Sequence, residues 1–134
     1  MGLAERRGVK EYQEKAFPKV KKEISDAAGF LPDLDVKWDS LMVPEQQNQY
    51  AELYQTVFFR PLITAIKAVA VDDMGKQALK TGLKKVVVEG NQASSPSMFA
   101  FENGVLELKH DPFCNLQDEN DRAKAIQKLF EAKL

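Results

Sequence analysis

Apolar residues at Val9, Tyr12, Ala16, Val20, Ile24 and Ala27 recur at helical spacing, which lines one face of an amphipathic α-helix. Gly29 is a natural stop for it, because a residue without a Cβ enters the left-handed region at little cost. Pro18 lies inside the pattern and lacks an N–H. The stripe keeps its phase across it, so a kink is expected rather than a break. Leu34, Val36 and Trp38 then alternate with Asp35, Lys37 and Asp39, the pattern of a first strand with one wet face.

Pro44 followed by Glu45 reads as the first turn of a long helix over residues 44–71. Its stripe is Tyr50, Ala51, Tyr54, Val57, Phe58, Leu62, Ala65, Ile66 and Val69, again in phase across a proline, Pro61. Unbroken, such a helix is about 42 Å long. A globule of this size has a diameter of roughly 36 Å. The helix is therefore expected to bend at Arg60-Pro61 or to protrude, and a protruding apolar stripe needs a partner chain.

Asp72 and Asp73 predict a short helix over residues 74–81 that Gly82 ends. Residues 84–89 form a β-branched run suited to a central strand. Residues 98–101 and 105–109 flank Asn103-Gly104, a strong β-hairpin signal. Asp118 predicts the cap of a last helix whose buried face is Ile126, Leu129, Phe130 and Leu134. The expected fold is one α+β domain over residues 1–134. Its antiparallel sheet has about four strands, a three-strand C-terminal meander with the early strand at an edge, and the helices pack on one face.

At 44% apolar and 29% charged residues, the composition is that of an ordinary globular chain. One cysteine, Cys114, excludes an intrachain disulfide, and the start of the chain has no apolar leader, so a cytoplasmic protein is expected. The longest apolar stretch, residues 56–71, is interrupted by Arg60, Pro61 and Lys67, which argues against a membrane span. Residues 6–22 are rich in Lys and Arg. The acids among them sit at pairing distance, Glu11 with Lys15 for example, so a solvated helix face is expected there rather than a nucleic-acid surface.

His110 is the only histidine, which excludes sites built from two or more of them within one chain. A thiol and base pair with Cys114 is disfavoured by the intervening Asp111-Pro112. Asp33 and Asp35 share a strand face without the rest of a calcium loop. Phe99 and Phe101 lack the basic neighbours of an RNA-stacking sheet and read as core. No cofactor, metal or catalytic set is implied.

Two readings follow. The leading one is a small soluble non-enzymatic binding or protein-interaction domain, self-associating through the central helix as a homodimer or larger homo-oligomer. It draws on the overlong stripe and on the adjacent Phe58 and Phe59, which point in different directions. The alternative is a small-ligand-binding protein or enzyme with a pocket between sheet and central helix. Its binding residues would be Tyr54, Phe58, Asn91, Ser94, Ser95 and His110.

Overall fold

The structure, a computed structural model, describes residues 2–91 and 99–134. The first stripe forms α1 (Leu3–Glu11) and α2 (Phe17–Ala28), joined without a break by a π turn over Tyr12–Ala16. Proline accounts for that turn. The ring of Pro18 crowds the carbonyl four residues earlier and has no N–H to give it, so the helix widens just ahead. The N–H of Phe17 bonds to the Tyr12 carbonyl, five residues back. The extra residue rotates the stripe by one position. The buried side chains are Val9, Tyr12, Phe17, Val20, Ile24 and Ala28, while the expected Ala16 and Ala27 are only partly covered. Gly29 ends α2 as expected, at φ 85° with its N–H 2.8 Å from the Ser25 carbonyl.

The central helix does not begin at Pro44. Glu45 sits at φ 64°, in the left-handed region that no α-helix contains, so Pro44-Glu45 is a turn. The Glu45 N–H bonds to Glu5 Oε2 at 3.0 Å, and Tyr50 Oη accepts from the Val43 N–H at 3.0 Å and donates to its carbonyl at 2.9 Å. The helix runs instead through α3 (Tyr50–Tyr54), a π turn over Gln55–Phe59 and α4 (Arg60–Val69). Its length is roughly 30 Å at 1.5 Å per residue, which fits inside the globule. The second π turn repeats the logic of the first: the Arg60 N–H bonds to the Gln55 carbonyl, ahead of Pro61.

This shorter helix is sheathed by its own chain. Tyr54, Val57, Phe58, Leu62 and Ile66 are fully buried, and Phe59 is nearly so. Phe59 packs on Tyr12 and Phe17, with ring centroids at 6.2 and 5.6 Å. Phe58 follows the helix to a different side, and α6 (Glu119–Lys133) packs along the same rod. The apolar ridge that was expected to need a second copy is therefore covered within one chain. Its exposed positions are Ala51, Glu52, Thr64, Lys67 and Ala68, so Ala51, expected in the apolar stripe, faces outward, and no large apolar side chain does.

The sheet has four strands in the order β1-β2-β4-β3: β1 (Asp33–Val36), β2 (Lys85–Gly90), β3 (Ala100–Glu102) and β4 (Val105–His110). The early strand is at an edge, as expected. The antiparallel meander is not formed: β1 with β2 and β2 with β4 are parallel, and only β3 with β4 is antiparallel. The hairpin itself is where the sequence puts it, with Asn103 and Gly104 both at positive φ as a tight two-residue loop requires. β3 lies on the far side of β4, so β4 rather than β3 meets β2 and runs in its direction.

Buried and half-exposed residues alternate along β2 and β4, so the helices cover one face, with Val86, Val88, Leu106, Leu108 and His110 inward. Phe99 and Phe101 are buried too, Phe101 edge-on to Phe130 at 5.4 Å. Asp72 caps α5 (Asp73–Gly82) through the Gly75 N–H at 2.8 Å. Asp118 precedes α6 but makes no capping bond, and Leu134, expected inside, is 38% exposed.

Candidate functional site

Three parallel strands end on one edge of the sheet, which brings Val36, Gly90 and His110 to the same side. In parallel sheets the crevice outside the carboxyl ends is the usual ligand position. Here the segment after β1 folds across that edge. Ser40 Oγ donates to the Lys37 carbonyl at 2.5 Å and accepts from the Gly90 N–H at 2.9 Å. A Cβ on Gly90 would lie 2.1 Å from the Ser40 carbonyl oxygen, so only glycine lets the turn seat on the strand end. Tyr54 Oη donates to the Leu41 carbonyl at 2.6 Å, which fixes the segment from the helix side together with the Tyr50 bonds to Val43.

The chain leaving β4 forms the facing wall. Asp111 Oδ1 accepts from the Phe113 N–H at 2.8 Å and closes a tight turn around Pro112. Between the two walls is a cleft of about 370 Å³, lined by Met42, Val43 and Pro44 from one and Pro112 and Phe113 from the other. Ser40, Gly90, Asn91 and Asp111 complete it. Phe113 is 46% exposed, unusual for an aromatic ring held in a fixed turn.

The residues expected to bind are distributed as follows. Asn91 and His110 come together at the strand ends, the Asn91 N–H bonding to the His110 carbonyl at 3.1 Å. His110 is fully buried, and its Nδ1 lies 2.8 Å from the Asp111 carbonyl. A carbonyl only accepts, so that nitrogen carries the proton and cannot act as a base. Tyr54 and Phe58 are fully buried core residues and do not line the cleft. Burial raises the Tyr54 hydroxyl pKa well above its ordinary value, and its role is to hold Leu41. Ser94 and Ser95 lie outside the described residues.

Sequence reasoning missed Met42, Asp111 and Phe113 as lining residues. The available signal was an aromatic just after a strand-ending Asp-Pro, a pattern that gains meaning only once the strands are known to be parallel.

Charge around the cleft is simple. Lys37, at the end of β1, is tied to Asp35 Oδ2 at 2.9 Å, with Lys85 3.5 Å from the same oxygen. The Lys37 hydrogen bond foremost, and the charges of Lys37 and Lys85, hold the Asp35 carboxyl below its ordinary pKa. Asp35 is thus paired with lysines. Among the described residues no group of three or more His, Cys, Asp and Glu is placed to hold a metal ion. No helix among them is long and apolar enough to cross a membrane. The basic first helix carries its own acids, with Lys15 3.4 Å from Glu11 and Lys22 2.8 Å from Asp26. Comparison with protein-family models, curated proteins and solved structures finds no match to this chain.

Proposed function

We propose that this chain is a small non-enzymatic binding domain that takes a small, partly apolar ligand in the strand-end cleft. The observation that carries this reading is the half-exposed Phe113, which lines a cleft of about 370 Å³ together with Met42, Val43 and Pro44. That volume falls in the range of small-molecule sites, roughly 300 to 1,000 Å³. Both walls are stapled by hydrogen bonds to rigid elements, so the cleft is preformed and binding requires little ordering. The non-enzymatic part rests on His110, the only histidine, which is fully buried and does not line the cleft.

Titration of the labelled protein with 2-phenylethanol, followed by amide chemical shifts, is expected to move Asn91, Asp111 and Phe113 together. Phe113→Ser is expected to weaken that binding about tenfold, the loss of one ring contact of ~1.4 kcal/mol. Its melting temperature stays close to that of the parent. Absence of shifts at these amides, or unchanged affinity in the variant, would overturn the reading.

Self-association remains a second reading, relocated from the central helix to α5. Val71 is 78% exposed and Met74 82%, and Met74, Ala78 and Leu134 line one shallow groove. Asp72 and Asp73 stand at the start of α5, and Lys76 and Lys80 stand further along it. A two-fold antiparallel pairing of this helix with its copy sets acids against lysines at both ends. Sedimentation velocity at high protein concentration is expected to show a dimer that Met74→Asp disperses; a monomer throughout would rule it out.

A further inference from the structure

We infer that the ligand of the strand-end cleft is an organic cation, a primary or methylated ammonium bearing an apolar group, an inference that rests on the cleft being a ligand site. Asp111 is the one ionisable side chain among the described residues lining it. Its Oδ1 is held by the Phe113 N–H, and Oδ2 makes no hydrogen bond or ion pair among the described residues. The turn thus fixes a carboxylate in the same cleft that the half-exposed Phe113 lines.

Among the described residues no lysine or arginine is paired with it. Lys37, the nearest lysine along the chain to the first wall, is committed to Asp35. An ammonium group entering the cleft gains a charge-assisted hydrogen bond from the carboxylate and the attraction of the aromatic face. Its apolar part meets Met42, Val43 and Pro112. An anion of the same shape meets the Asp111 charge with nothing to offset it, and a neutral ligand gains only the apolar contact. The cleft therefore selects by charge as well as by shape.

The experiment compares phenethylamine, 2-phenylethanol and 3-phenylpropionate, each titrated into the full chain at one ionic strength and followed at the amides of Asn91 and Phe113. Phenethylamine is expected to bind about tenfold tighter than the alcohol, the size of one partly exposed charge-assisted hydrogen bond, with the carboxylate weakest. Asp111→Asn keeps an oxygen to accept from the Phe113 N–H and so keeps the turn. It is expected to erase the preference for the amine over the alcohol. If the alcohol binds as tightly as the amine, or the variant retains the preference, the cation inference fails while the cleft stands. If none of the three compounds moves these amides, the cleft itself is not a ligand site.

Discussion

Phe58→Ala is expected to lower the unfolding free energy by about 4 kcal/mol, in the range for a large aromatic removed from a core that cannot collapse around the gap. Phe58 is fully buried on the π turn of the central helix, and its neighbours belong to the same chain. The turn itself resists relaxation, because Pro61 prevents the local helix from tightening back to a regular α-helix. A chain of this size has roughly 5 to 15 kcal/mol of stability in all, so the variant stands near the edge of folding. Urea unfolding gives the number. The loss is expected to be independent of protein concentration, because the ridge is buried by its own chain. A loss below about 1.5 kcal/mol, or one that grows on dilution, would mean that the ridge is covered in another way.

What the sequence discloses about this fold is its local chemistry. Asn103-Gly104 fixes a hairpin, Gly29 and Asp72 fix helix ends, and the β-branched run at Val86-Val87-Val88 fixes a central strand, each because the deciding interaction lies within a few residues. Strand direction has no such local signature. The hairpin reads the same whether β3 or β4 meets β2, and that choice alone separates an antiparallel meander from the mostly parallel sheet observed. The site depends on the same choice. Asn91 and His110 could be named from the sequence because they flank the loop after β2 and the end of β4. Phe113 and Met42 could not, because they become neighbours only when three strands end on one edge.

The prolines are a different case, since the signal was present. The buried positions Tyr12 and Phe17 are five residues apart, one more than an α-helix allows on a single face, and Pro18 follows immediately. An apolar step of five ahead of a proline is the imprint of a π turn. The central helix hides the same imprint because Thr56, Val57, Phe58 and Phe59 are all buried across its π turn, so a shift of one residue there exchanges no wet position for a dry one.

The two π turns differ in where their displaced carbonyl ends up, and that difference gives Arg122 its role. Once Arg60 N–H has bonded to Gln55, the Thr56 carbonyl faces Pro61, which has no N–H to offer. The equivalent carbonyl in the first helix belongs to exposed Gln13, within reach of water. Thr56 is buried, and its carbonyl accepts instead from Arg122 Nη2 at 3.1 Å, while Nη1 donates to Asn115 at 2.7 Å. Arg122 is itself fully buried, and burial lowers its pKa against the pull of Asp118, Glu119 and Asp121. A second arginine reinforces the joint: Arg60 ties Thr56 Oγ1 at 2.7 Å to Glu119 of α6 at 2.9 Å.

Arg122→Met is accordingly expected to cost about 3 kcal/mol, the penalty of leaving buried carbonyls without a donor, less what is regained by not burying a charge. The decisive measurement is a double-mutant cycle with Pro61→Ala. Alanine at position 61 returns an N–H to Thr56, so the cost of Arg122→Met is expected to fall by roughly 1 kcal/mol in that background, well above the scatter of independent sites. The remainder reflects Asn115 and Leu116, which Arg122 also serves and Pro61 does not touch. Equal costs in the two backgrounds would show that Arg122 holds α6 for reasons unrelated to the proline, and the account of the buried π turn would fail with it.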